Sequence, residues 1–385
     1  DSLRTRAQRP PHYDRRVTND FSVLPVVPPD EGEVPDGVRT AVAGAATISR
    51  GVWLDLFGHV DFARSPEAWL HRMTHRVSYD RPLLVAVAGA RADLVGLKVD
   101  DVLGYAYYDV PLADNLHTLD ALELGVRPSA RRRGVGSALV AAVKADAAAR
   151  GRTHVMGWMD APIAGTDETG ALRSRTDHIT ARPTAGSAFA LAHGFAVAQI
   201  ERYSVLTVPA VLADAEVAPG YRLQAWIGPT PPHHRAGLAS LWTAFGNDQP
   251  LGDVALGEEA WDADRIAATE AASAAVCERC TAVAIHEASG EVVGASQLFR
   301  DLDKDEAATQ GVTQVLRTHR GHRLGLALKR HNLRVAKAGW PALERIHTWN
   351  AGENDHMWRI NEALGYQTRA AEICWQWIAP SETTD

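Results

Sequence analysis

Cysteine is scarce in this chain. There are three in 385 residues, Cys277, Cys280 and Cys374, too few for a disulfide framework. The C-E-R-C spacing of the first two supplies only half of a four-ligand zinc site, so they read as reduced thiols and no metal is expected. Long apolar runs are missing as well: none approaches the roughly 18 residues that a membrane span requires. The first residues hold no apolar core of a secretion signal, and the expectation is a cytoplasmic protein. An excess of positive charge is also absent. The formal net charge of -7 argues against a general nucleic-acid surface and makes each arginine cluster a local site. What is present is an ordinary globular composition, 46% hydrophobic and 23% charged, in a chain long enough for more than one domain.

The chain is organised around Ala121 to Leu139, where an apolar run passes through a basic, glycine-containing turn into an alanine-rich amphipathic stretch. This reads as strand, turn, helix. Val126, Pro128, Arg131, Gly134 and Gly136 have the spacing V-x-P-x-x-R-x-x-G-x-G. Such a turn leaves backbone N–H groups unpaired at a helix start. The helix dipole favours an anion there, and the glycines let a phosphate approach the main chain. No Lys-Ser/Thr follows, as a nucleoside-triphosphate loop requires, and the last glycine of a G-x-G-x-x-G fingerprint is missing. The ligand implied carries a pyrophosphate.

A second copy lies at Val315 to Lys329. Aligning Val126 with Val315 puts Arg131 on Arg320, Gly136 on Gly325 and Leu139 on Leu328, while Gly134 falls on Arg323. Gly321 supplies a glycine two positions earlier, with Arg320 and Arg323 adding charge for phosphate. Each copy is followed by helix, glycine, aromatic, strand, at SAFALAHGFAVAQIERYSVL and at NDHMWRINEALGYQTRAAEICWQWI, so the chain reads as a tandem duplication.

The first motif resembles the acyl-CoA-binding signature of the GNAT superfamily of N-acetyltransferases, Gln/Arg-x-x-Gly-x-Gly/Ala after a strand. The segment T-x-N-A-x-x-N-x-x-M-x-x-I-N-x-x-L-G-Y from Thr348 is similar to the closing segment of tandem GNAT proteins, and the alanine, arginine and glycine content suits an actinobacterial type. The resemblance implies an α/β (α+β) chain of two GNAT-like domains, each a mixed, mostly antiparallel sheet flanked by helices. It implies acetyl-CoA as co-substrate, and a small-molecule primary amine as acceptor. It also implies coenzyme sites at Leu124, Val126, Arg131, Arg132, Arg133, Gly134, Val135, Gly136 and Ser137. In the second copy the matching sites are Val315, Arg317, Arg320, Gly321, His322, Arg323, Gly325, Leu326 and Ala327, with Asn350 and Asn354 beside the coenzyme arm. A mycothiol-synthase-like acetyltransferase, or a non-catalytic acyl-CoA-binding protein, is the alternative. No nucleic acid or membrane partner is expected, and the chain is a monomer or homodimer.

Residues 1–36, rich in Pro, Arg and Asp, read as an arm or a packed extension; 37–212 as the first domain; and 219–385 as the second. Strands are expected at Leu83–Ala90, Val102–Val110, Leu119–Val126 and Thr153–Met159. A final strand and a short crossing helix are expected within Val205–Gly220, and a long acidic helix over Gly257–Glu278. From Gly136 to Gly194 is 58 residues against 40 from Gly325 to Gly365, so the first copy carries about 18 more, in a polar insertion between Asp160 and Pro183.

Acyl transfer to an amine needs a proton acceptor for the amine and an acid or dipole for the departing thiolate. On the motif strand Asp120 and Glu123 are the candidate bases, aimed inward by a bulge, where the second copy has Thr309 and Val312. The family's usual tyrosine acid, four residues before the closing glycine, is replaced by Ala190 and Asn361. Candidate substitutes are His193 and Tyr203 in the first domain and His356, Asn361 and Tyr366 in the second. With its base and its insertion, the first domain is the expected catalyst.

Overall fold

In a computed structural model, residues 20–380 are described, apart from 166, 177 and 249. The first half comprises β1 (Phe21–Val26), α1 (Asp36–Phe57), α2 (Pro66–Thr74), β2 (Tyr79–Asp80), β3 (Leu83–Ala88), β4 (Val102–Pro111), β5 (Thr118–Val126), α3 (Val135–Ala149), β6 (His154–Ala161), α4 (Ala185–Ala192) and β7 (Ala196–Thr207). The second comprises β8 (Tyr221–Ile227), α5 (Pro232–Asp248), α6 (Ala263–Ser273), β9 (Cys277–His286), β10 (Val292–Asp301), β11 (Ala307–Val315), α7 (Leu324–Gly339), β12 (Arg345–Ala351), α8 (Asp355–Leu364) and β13 (Gln367–Ile378).

Local chemistry sets many of the boundaries. The side chain of Ser65 accepts a bond from Ala68 N ahead of Pro66 and starts α2. Asp262 caps α6 and Asn354 caps α8, and Gly58 and Gly365, both at positive φ, end α1 and α8. Between strands, apolar side chains under α3 form one core with Leu84, Ala106, Leu119, Val155 and Ile373, and α1 and α2 cover a second with Trp69, Val85 and Tyr105. Among the described residues no helix is long and apolar enough to cross a membrane.

Among the described residues all thirteen strands but β2 run in one continuous order, β1-β3-β4-β5-β6-β13-β7-β12-β11-β10-β9-β8, with β2 paired to β4. The last strand of each half has moved into the other's sheet. β13 pairs with β6 and β7, and β7 pairs with β12 as well. The closing strands expected after the last helix of each copy are therefore present, but exchanged between halves. Their apolar faces meet the same kind of surface in either sheet, so exchange preserves the burial that the sequence pattern demands.

Other expectations change as well. Residues 1–19 of the expected arm or packed extension lie outside the described residues, but Phe21–Val26 is a paired strand whose Phe21, Leu24 and Val26 are core, so this part is packed. The long helix expected over Gly257–Glu278 is the shorter α6, because Asp262 caps it from within. Cys277 begins β9 instead. No helix forms between Thr207 and Tyr221.

The connections between the first two helices of each half also reach across. From the α1–α2 connection, Asp61 accepts bonds from Arg345 Nε (2.5 Å), Arg345 Nη2 (2.7 Å) and His347 Nε2 (2.9 Å) on β12. From the α5–α6 connection, Leu251, Val254 and Leu256 pack on Met156, Trp158, Ala198 and Cys374. Ala255 there donates to Gln376 Oε1 at 2.8 Å. Each half thus covers the sheet face of the other.

Candidate active site

The parallel pair β5 and β6 is hydrogen-bonded at Thr118–Leu119 and His154–Val155 and then splays; β11 and β12 pair only over Ala307–Thr309 and Arg345–His347. Each splay opens toward a glycine loop. At the first, Gly134 (φ 82) is the N-cap of α3, and Arg132 also has positive φ, 61. Left-handed backbone here turns the amides at the helix start outward. Arg131, Arg132, Arg133, Gly134 and Ser137 are exposed, whereas Val135 is buried beneath. Gly136 is needed for room: a Cβ there would lie 3.2 Å from the Phe189 ring. Leu124 and Val126 turn their side chains into the core under α3, so only their backbone faces the splay.

The second loop has the same framework. Arg131 Nε donates to Val126 O at 3.2 Å, and Arg320 Nε donates to Val315 O at 3.0 Å, each arginine tying its loop to the strand end. Arg323 caps α7 at φ 56, so a non-glycine residue holds the left-handed turn of Gly134, while Gly321 (φ 88) supplies a further positive-φ residue. His322 is exposed, and Val315, Gly325 and Leu326 are partly covered, with Ala327 buried. One difference is electrostatic. Asp248, at the end of α5, accepts from Arg317 Nε (2.7 Å) and Arg320 Nη2 (2.5 Å). Burial opposes ionisation of Asp248, yet these bonds hold its carboxyl below the ordinary range. In the first loop Arg133 has only a long contact to Asp20, 3.9 Å, whereas in the second Asp248 binds Arg317 and Arg320 closely and offsets part of the charge open to an anion.

Asp120 and Glu123 share the face of β5 turned away from α3. The cause is a bulge at Ala121, φ 50, which shifts the register between Tyr107 and Asp109 on β4. Asp120 uses Oδ1 to accept from Ala121 N at 2.7 Å. Burial, with Asp109 and Glu259 near, pushes its carboxyl up to about 6. Glu123 Oε1 accepts from Tyr105 Oη (2.5 Å) and Ser49 Oγ (2.7 Å). Its Oε2 lies 3.7 Å from Arg64. Glu123 opens on a cleft of about 260 Å³ between the halves, whose walls include Trp53, Phe62 and Arg64 from one half and Lys304, Thr309, His347 and Trp349 from the other.

The remaining candidates fall elsewhere. His193 sits at the first loop, its Nε2 3.0 Å from Ser137 Oγ, with Lys144 donating to its carbonyl. Tyr203 is buried at the exchange seam, its hydroxyl 2.8 Å from His347 Nδ1, so its proton is committed there. Since Asp61 takes the Nε2 proton of His347, the chain Tyr203–His347–Asp61 is a closed structural relay. His59, Asp61 and His347 bring atoms of metal-ligating type within 4.8 Å, but Arg345 holds both Asp61 oxygens as an ion pair. Asn354 caps α8, accepting from Met357 N at 3.2 Å, so its oxygen is not turned to the splay. Asn361 is fully buried between Lys329 and Asn350.

Sequence reasoning missed the acids of the seam. Asp160, Glu372 and Glu201 stand side by side on β6, β13 and β7. Burial pushes Asp160 and Glu201 up to about 7 and Glu372 well above its usual range, with mutual repulsion adding to Glu372. No local pattern signals them, because their register exists only once the strands exchange.

Residues 54–164 match the model of the acetyltransferase (GNAT) family. No curated protein matches the chain. Among solved structures, a tandem GNAT protein from the clavulanic acid biosynthesis pathway is 20% identical with a TM-score of 0.69, covering 94% of this chain and 100% of its own. A GCN5-related N-acetyltransferase from Sphaerobacter thermophilus is 14% identical with a TM-score of 0.60, over 93% and 96% of the two chains. A putative acetyltransferase from Pyrococcus horikoshii is 10% identical, TM-score 0.51, over 96% and 94%. Duplicated loops, splayed strand pairs and these matches give the chain the fold of a tandem GNAT protein, with residues 54–164 matching the acetyltransferase (GNAT) family model.

Proposed function

We propose that the chain transfers an acetyl group from acetyl-CoA to the primary amine of a small metabolite, with the chemistry in the first half. The observation that carries this is the pairing of an open amide-and-arginine loop at α3 with Glu123, which faces the cleft on the other side of the same strand. The loop would hold the pyrophosphate through the amides from Arg132 to Ser137. The coenzyme supplies a thioester, and the rest of the work belongs to the protein. Tyr105 and Ser49 fix Glu123 through one oxygen, and Oε2, which has only the longer ion pair to Arg64 at 3.7 Å, receives the proton that the attacking amine must lose. The cleft walls carry aromatic rings against which the carbon skeleton of the amine can pack. At the family's tyrosine position the first half has Ala190, so the thiolate departs without a side-chain acid from that site.

The test is thiol release from acetyl-CoA with a panel of small amines, alongside calorimetry. Gly136→Asp brings negative charge to the loop and bulk against Phe189, and should abolish binding there. Equal coenzyme affinity at the first loop in parent and variant refutes the site. Tight binding without thiol release for any amine supports a binding protein instead.

A further inference from the structure

Lys329 is a core residue. It lies on α7, is 4% exposed, and its Nζ donates to Asn361 Oδ1 at 2.7 Å. Asn361, at 0% exposure on α8, donates in turn from Nδ2 to Asn350 Oδ1 at 2.5 Å. The chain of bonds runs from the helix behind the second loop to the splayed end of β12. Asn350 there is only partly buried, and its Nδ2 has no partner among the described residues.

The first half has nothing of the kind. The alignment of Val126 with Val315 places Val140 under Lys329, and the closing glycines place Ala190 under Asn361. The matched parallel pairs, Thr118 with His154 and Ala307 with Arg345, place Met159 under Asn350. Three apolar positions in contact have become three polar ones together. Burying a lysine is costly, and desolvation pushes this ammonium down to about 7. A fold that needed only packing would keep the apolar set.

The polarity of the chain follows from the lysine. Lys329 Nζ is the donor of its bond to Asn361 Oδ1, so Asn361 turns its oxygen to the lysine and its NH₂ to Asn350. Asn350 must then accept with its oxygen and turn its own NH₂ outward. Resting on the reading that the second loop also holds coenzyme A, we infer that Lys329, through Asn361, fixes Asn350 as a hydrogen-bond donor toward the coenzyme's sulfur in the second splay, stabilising the thiolate. Asn350 is the group that meets the ligand. Lys329 and Asn361 are positioning residues. Without the lysine both amides are free to rotate, and Asn350 is as ready to present its oxygen, which repels a thiolate.

The experiment uses the full chain carrying Gly136→Asp, which silences the first loop, with free coenzyme A as the probe. Calorimetry measures binding, and the ultraviolet absorbance of the thiolate, followed against pH, gives the ionisation of the bound thiol. With Lys329 present the bound thiol should ionise below the free one, and Lys329→Met and Asn350→Ala should each raise its pKa by about one unit, the scale of one lost hydrogen bond to the charged form. Asn350→Ala, at a partly exposed position, keeps the question answerable if Lys329→Met unfolds. Bound thiol with the same pKa in all three proteins overturns the relay while leaving the second coenzyme site intact. No binding of coenzyme A once the first loop is silenced overturns the site itself, and the relay with it.

Discussion

Asp61→Ala measures how firmly the two halves are locked. The carboxylate takes two bonds from Arg345 and one from His347, residues more than 280 positions away in sequence. The Asp61 and Arg345 side chains are 5% and 27% exposed. Removing one partner of a buried pair costs about 3–5 kcal/mol when the other charge is left unmatched, but Arg345 keeps Glu306 at 3.2 Å and Glu344 at 3.5 Å. Water reaches part of the Arg345 guanidinium, which sets the expectation at the lower end, about 3 kcal/mol. Arg345→Met should cost a similar amount. If the pair acts as one unit, the double variant should fall short of the sum by about 2 kcal/mol. Urea unfolding followed by tryptophan fluorescence reads all three, since Trp53 and Trp349 line the adjoining cleft. The pH dependence has a definite sign. Burial raises the Asp61 carboxyl, but bonds from Arg345 and His347 outweigh it and hold the folded value below the unfolded one. The stabilisation is therefore present above about pH 4 and is lost as pH falls further, so parent and variant should converge in acid. An Asp61→Ala chain within about 0.5 kcal/mol of the parent at neutral pH, or strict additivity in the double variant, refutes the reasoning.

Glu123→Gln should lower turnover roughly a hundredfold with little change in coenzyme affinity, the usual scale for losing a general base. Asp120→Asn should do less, since that carboxylate is tied to Ala121 N; steady-state thiol release ranks them, and an unimpaired Glu123→Gln points to another base. The seam acids predict the opposite pH trend to Asp61. Carboxyls raised from 3.8 or 4.5 to about 7 in the folded chain leave stability highest below about pH 4 and falling through pH 7, and Glu372→Gln should flatten that fall in thermal melts across pH. Asp248→Asn frees Arg317 and Arg320, so the second loop should bind coenzyme A several-fold more tightly at low salt, by calorimetry in the Gly136→Asp background; equal affinity means that the amides alone do the holding.

The loop and helix at Arg131–Ser137 were legible because glycine, proline and alanine act within a few residues of themselves. The bulge at Ala121 that turns Asp120 and Glu123 to one face was legible only as a way to aim either carboxylate inward, and no local residue pattern fixed its place. Lys329 left a signal too, a lysine where the first copy has Val140, visible once the copies are aligned. The exchange of β7 and β13 was not, because a strand with the same alternation satisfies either sheet, and the choice rests on contacts between residues far apart in the chain. The cleft shares that origin: Glu123 and Trp349 meet only after the halves have covered each other. That Asn354 caps α8 was not legible either, because a helix cap and a ligand contact draw on the same residue type.

The exchanged strands make the covalent connection between Thr207 and Tyr221 mechanically redundant. Each half finishes inside its sibling, held by the ladders of β13 on β6 and of β7 on β12. A chain nicked in that connection should therefore keep its shape and elute as one particle. Two polypeptides divided at the same point should be insoluble or unfolded when made singly and should complement each other when made together, since neither can complete a sheet without borrowing its neighbour's final strand.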